Sequence, residues 1–138
     1  MGKESSLRKV IVRRGDGQVV AGFADSSKIQ NSVRIINRQG KEEVFPLDDV
    51  KAVFFVKDFD GNPKYEDIHF LKRQTGSPAV WVRVKFSDGE TIEGKIENNV
   101  NLLAQPGFFL WPSDSETNND CVYIAKSAVA EFTILSAD

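Results

Sequence analysis

Short segments of alternating character run through the chain. Val80, Val82, Val84 and Phe86 alternate with Trp81, Arg83 and Lys85, the period of a half-buried strand. Residues 7–14 repeat the pattern more weakly, with Val10 and Val12 on one face and Lys9, Ile11 and Arg13 on the other. Each segment runs into a turn, Gly15-Asp16-Gly17 or Asp88-Gly89, whose residues tolerate the positive φ of a tight hairpin. The returning strands, 19–24 and 90–97, carry Gly22 and Gly94 in their middles. A mid-strand glycine predicts a bulge or bend, the device that curls a small sheet. Asp88 follows Asp16 by 72 positions and Gly94 follows Gly22 by the same 72, so the half-chain is the expected structural unit.

The remaining elements follow the same plan. In the first half, 32–37 and 43–45 read as strands around the turn Arg38-Gln39-Gly40-Lys41. Pro46 lacks an amide donor and ends the ladder, so a 3₁₀ turn is expected before a fifth strand at 51–57. In the second half the strands are 107–111, stopped by Pro112, then 121–125, and 129–135 after a short turn at Lys126-Ser127-Ala128. Polar, turn-prone residues fill 25–32, 97–101 and 113–120. Asp60-Gly61-Asn62-Pro63 and Gly76-Ser77-Pro78 punctuate the connection between halves, in which 65–71 fits an extra strand or a short helix. No helix longer than two turns is expected.

The predicted fold class is all-β, with two tandem five-stranded barrels: residues 1–57, a link at 58–79, and residues 80–138. Halves this small sit near the lower limit for an independent core, so they should pack on one another pseudo-symmetrically. The run Val53-Phe54-Phe55-Val56 does not alternate, so Phe54 or Phe55 must face away from the first core. The second half has aromatic residues to spare: Trp81, Phe108, Phe109, Trp111 and Tyr123. Alternation puts Phe109 and Trp111 on one side of their strand and Phe108 on the other. These surfaces are expected to meet, within one chain or across a symmetric homodimer. The other use for them is a platform for a peptide or for bases.

Five short strands with a central glycine bend and a short turn before the last strand describe an SH3-like barrel. "FSDGETIEGKIENN" and "CVYIAKSAVAEFTIL" resemble the strand–turn–bent strand and the closing pair of Sm proteins. That resemblance implies RNA contacts from a loop Asp and Asn and from an Arg-Gly near the fourth strand. Asn98, Asn99 and Asn101 occupy the loop, but the fourth strand reads Val122-Tyr123-Ile124-Ala125 with no Arg-Gly, and neither half begins with the usual Sm helix. The whole chain also resembles a bacterial family with this two-copy layout and no established activity, through "VKAVFFVKDFDG", "VWVRVKFSDGETIEG" and "GFFLWPSDSETNNDCVYIAKSAV". Receptors of the PilZ type need Arg-x-x-x-Arg and Asp/Asn-x-Ser-x-x-Gly; Arg13 and Arg14 are adjacent, and Asp25-Ser26-Ser27 lacks the spacing.

Composition narrows the function classes. The chain has 138 residues, 41% hydrophobic and 28% charged, which suits a folded domain. The net charge of −2 argues against a general polyanion binder, although Lys3, Arg8, Lys9, Arg13 and Arg14 make the amino-terminal end basic. A single cysteine, Cys121, allows no internal disulfide and no cysteine-based metal cluster. It opens an apolar strand, where a buried thiol is expected. The polar amino terminus and the lack of a long apolar run point to a cytoplasmic protein without membrane contact. His69 has no nucleophile motif around it. Asp58-Phe59-Asp60-Gly61-Asn62 imitates a calcium loop, but its glycine stands at the fourth position and the twelfth is His69. "GDGQVVAG" lacks the Gly-Lys-Ser/Thr of a phosphate loop.

The expectation is therefore a non-catalytic binding or scaffold module without cofactor or metal, whose partner is a protein, itself included. Single-stranded nucleic-acid binding of the Sm type is the alternative. The candidate ligand or interface residues are Phe54, Phe55, Trp81, Asn98, Asn99, Asn101, Phe108 and Trp111.

Overall fold

Two near-identical hairpins set the frame. Gly17 and Gly89 take φ of 94° and 95°. Asp16 Oδ1 accepts from the Gln18 amide at 2.9 Å, and Asp88 Oδ1 accepts from the Glu90 amide at 3.0 Å. An l-residue with a Cβ would be strained at either glycine, and the aspartate holds the turn shut. These turns join β1 (Leu7–Arg14) to β2 (Val19–Asp25) and β6 (Ala79–Phe86) to β7 (Thr91–Glu97).

The computed structural model describes residues 7–57, 79–97, 101–112 and 119–137. The other strands of the first half are β3 (Ser32–Asn37), β4 (Glu42–Pro46) and β5 (Val50–Val56). Those of the second half are β8 (Gly107–Pro112), β9 (Asn119–Ala125) and β10 (Val129–Ala137). A single helical turn, α1 (Asn101–Ala104), precedes β8. Single 3₁₀ turns at Leu47–Asp49 and Lys126–Ala128 lead into β5 and β10. β6 begins at Ala79, the last residue that the sequence reading assigned to the link.

The ten strands among the described residues are antiparallel and form one open sheet, in the order β10-β6-β7-β8-β9-β5-β1-β2-β3-β4. Two separate packed barrels were expected, but the ladder runs without a break from one half into the other. β5 and β9 are hydrogen-bonded, with Ala52 opposite Ile124 and Phe54 opposite Val122. Side-chain packing alone was the expected join. The pairing arises because both strands are apolar on both faces and so belong in the middle of a sheet.

The registers repeat between halves. Val10 faces Gly22 and Val82 faces Gly94. Gly22 in turn faces Asn37, and Gly94 faces Pro112. Backbones come very close at these bends. A Cβ at Gly22 would lie 2.6 Å from the Ile36 carbonyl oxygen, and one at Gly94 would lie 2.6 Å from Leu110 Cδ2 and run into the Trp111 backbone.

Two cores flank the central strands, and alternation divides the side chains between them. Val53 and Phe55 of β5 join Cys121 and Tyr123 of β9 in one core with Val10, Val12, Val33 and Ile35. Ala52 and Phe54 join Val122, Ile124, Phe108 and Leu110 in the other, with Val80, Val82 and Val84. Each half therefore helps to bury the other.

The junction also holds a buried cation. Lys51 of β5 is 6% exposed. Its Nζ donates to Asp88 Oδ2 at 2.7 Å and to Glu90 Oε1, and it lies 4.8 Å from the centre of the Phe86 ring. Burial alone would lower its pKa, but hydrogen bonds and charge from Asp88 and Glu90 outweigh this and raise it above the usual 10.5. The Lys51 hydrogen bond, with the Glu90 amide behind it, lowers that of Asp88 below 3.8. Lys51 thus contributes fully below pH 10.5 and loses its contribution only as pH rises through its higher folded value. Asp88 contributes above pH 3.8 and loses its share as pH falls through its lower folded value.

Both carboxylates remain in contact with water, so the two ends of the network respond differently to mutation. Lys51→Met leaves two solvated acids and places an apolar chain on Phe86, and it is expected to melt near the wild-type temperature. Asp88→Asn with Glu90→Gln strands a buried ammonium and is expected to melt lower, with a shallower decline below pH 4 (roughly the carboxylate range). Thermal melts of both variants across that range check the ordering. Equal melting temperatures would contradict it.

Candidate functional site

One concavity lies where the two halves meet. It is a half-open cleft of about 330 Å³. Phe108, Phe109 and Trp111 of β8 and Tyr123 of β9 supply its aromatic wall, and Ile29 with Ser26 and Ser27 supply the opposite side. The local chain explains each wall. Asp25 Oδ1 accepts from the Ser27 amide at 3.0 Å and from its hydroxyl at 2.7 Å, closing the 3₁₀ turn Ser26–Lys28 that presents Ile29. The Ser27 bonds are also the main reason the Asp25 pKa is lowered. Gly107 lets the Tyr123 ring lie across β8, since a Cβ there would come within 2.6 Å of that ring.

The rings form a connected stack. Phe109 meets Tyr123 edge-on at 4.9 Å between centroids, Phe55 at 6.0 Å and Trp111 at 6.3 Å. These separations are within the favourable range for aromatic pairs. Phe109 and Trp111 are half-buried against the first core, and burial raises the Tyr123 pKa so that its phenol stays neutral. Among the described lining residues Glu97 is the charged one, with Gln105 and the two serines as neutral polar groups. The wall is suited to an apolar or aromatic side chain, and its rim to the amides of a peptide.

The candidate residues are distributed as follows. Phe108 and Trp111 line the cleft. Phe55 is 1% exposed and supports the cleft from beneath through Phe109. Phe54 packs against the second core, with the Arg13 guanidinium 5.5 Å from its ring centre. Trp81 lies away from the cleft on β6, with Lys95 Nζ 4.9 Å from its ring centre. Asn101 opens α1, and Asn98 and Asn99 lie outside the described residues. The loop-asparagine expectation is therefore without a described site. Ile29, Ser26 and Ser27 escaped the sequence reading, because a polar connection resembles any surface loop.

Arg13 and Arg14 of the basic amino-terminal strand are engaged by other residues of the chain. Arg14 donates to Gln18 Oε1 at 3.0 Å and stacks 5.2 Å from the Phe45 ring centre, and Arg13 lies 3.9 Å from Glu90. Cys121 is fully buried and its pKa is pushed well up by burial, which suits a structural thiol. No group of three or more His, Cys, Asp or Glu is placed to hold a metal among the described residues. His69 and residues 58–62 lie outside them. No helix among the described residues is long and apolar enough to cross a membrane.

No curated protein matches this chain. No solved structure matches it. A model for a family of unknown function, DUF6982, matches residues 6–136, and the chain belongs to that family.

Proposed function

We propose that this chain is a non-catalytic protein-binding scaffold, with two SH3-like, Sm-like five-strand units fused at β5 and β9. The repeated strand order and the shared registers support the two-unit reading. The observation that carries the binding reading is the aromatic cleft at the junction. It offers a large apolar wall, neutral polar rim groups and no lysine or arginine among its described lining residues. A nucleic-acid strand needs cations that follow its phosphates as well as aromatic faces, so the lining favours a peptide. The fold implied by the Sm resemblance thus serves protein contact in this reading, and a cytoplasmic location accords with it.

Binding of a peptide array to the intact protein tests the proposal. Peptides with an aromatic or large aliphatic residue should be retained, and Trp111→Ala should weaken them by about tenfold, equivalent to about 1.4 kcal/mol. A fluorescent single-stranded RNA should show no binding at physiological salt. Tight, salt-dependent RNA binding with no peptide retention would overturn the proposal in favour of the nucleic-acid reading.

A further inference from the structure

The aromatic cleft has a counterpart in the first half. Among the described residues β2 and β3 are paired at Gly22–Asn37 and Phe23–Ile36, as β7 and β8 are at Gly94–Pro112 and Lys95–Trp111. Beyond these short ladders the second and third strands of each half part. In the second half the opening is the cleft, lined by Glu97, Phe109 and Trp111. In the first half it is a groove of about 660 Å³, lined by the matching Asp25, Arg34 and Ile36. Ser27 and Ile29 line both. The 3₁₀ turn Ser26–Lys28 and Ile29 therefore stand between two adjoining hollows.

The side chains differ where the backbones agree. In the shared register Arg34 takes the place of Phe109, and Ile36 that of Trp111. Leu7, Phe23 and Ile36 give the groove an apolar floor, while Lys28 and Arg34 bring two cations to it. The acid among its lining residues is Asp25, whose Oδ1 is already engaged by the Ser27 amide and hydroxyl. Arg34 Nε lies 3.3 Å from Glu42 Oε2, with the Arg34 side chain 67% exposed. An exposed pair of this kind is weak enough for the guanidinium to take a second carboxylate on its terminal nitrogens. The groove thus has cations in excess, whereas the charged residue among the described lining of the cleft is Glu97.

We propose that one peptide occupies both hollows, with an aromatic or large aliphatic side chain in the cleft and an acidic side chain, a few residues away, in the groove against Lys28 and Arg34. The proposal rests on the peptide reading of the cleft and adds the chemical class of the second anchor. Opposite charge in the two hollows also sets the direction of the peptide. Turned around, its acid would leave the cations and approach Glu97, an arrangement disfavoured by repulsion as well as by the lost attraction.

Fluorescence anisotropy with the intact protein tests the proposal. The probes are glycine–serine peptides carrying one phenylalanine and, at successive positions on either side of it, glutamate or glutamine. On one side of the phenylalanine, at a preferred spacing, the glutamate peptide should bind about fivefold tighter than its glutamine twin, and salt should shrink that ratio. Lys28→Gln/Arg34→Gln changes two exposed positions and should bring the ratio to about one with an unchanged circular-dichroism spectrum. Trp111→Ala should weaken both peptides and preserve the ratio. Binding with no glutamate preference at any spacing overturns this proposal and leaves the peptide reading of the cleft standing. A preference that survives Lys28→Gln/Arg34→Gln, or one equal on both sides of the phenylalanine, also overturns it. Binding of no peptide overturns both.

Discussion

Phe55→Ala is expected to cost about 3–5 kcal/mol, the range for removing a fully buried phenylalanine. Phe55 is 1% exposed and touches Phe109 across the junction. Its core draws Cys121, Tyr123 and Ala125 from the second half, so the cavity cannot be relieved within the first half alone. Against a total stability of about 5–15 kcal/mol, the loss is severe. Both tryptophans lie in the second half, whereas the substitution lies in the first. Tryptophan fluorescence and far-UV circular dichroism should therefore report one transition, shifted down together. Phe54→Ala should cost less, about 1–2 kcal/mol, because that ring is half-buried under Arg13. A fluorescence transition untouched by Phe55→Ala would mean that the halves unfold separately.

Gly94→Val is the second substitution with a large expected effect. β7 and β8 are in register at Gly94–Pro112 and Lys95–Trp111, a short ladder. A side chain at Gly94 is driven into the Trp111 backbone, which cannot swing away as a flexible side chain could. Overpacking of this kind costs about 1–3 kcal/mol, and here it also parts the strands. Because Trp111 lines the cleft, peptide binding should fall along with the melting temperature. Gly22→Val should show the stability loss by the same mechanism at the Ile36 carbonyl, but it should leave the cleft wall in place. If Gly94→Val melted like the wild type, the close approach of β7 and β8 would be wrong.

Much of this architecture was legible in the chain, for identifiable reasons. The Asp-Gly turns, the mid-strand glycines and the period-two runs are local signals, and local hydrogen bonding and sterics determine what they become. The unalternating run Val53–Val56 correctly signalled a strand with both faces covered. Cys121-Val122-Tyr123-Ile124-Ala125 carries the same signal, and the sequence reading did not use it. Two such strands belong side by side at the centre of a sheet. Alternation, however, reports which face is apolar and not which strand lies next to it, so a continuous ladder was read as two packed bodies. The cleft was legible in part. Surplus aromatics pointed to Phe108 and Trp111, while Ile29 became visible only once Asp25 was seen to shape its turn.

The continuous ladder is the claim on which the shared cores and the cleft both depend, and amide hydrogen exchange on the intact chain tests it most directly. Along a strand, amides point alternately to one neighbour and the other. If β5 pairs with both β1 and β9, every amide from Ala52 to Phe55 should be protected to the level of global unfolding. β10 provides the comparison, since among the described residues it has a strand on one side alone, so alternate amides there should exchange fast. Alternating fast and slow exchange along β5, like that of the unpaired edge, would contradict the account.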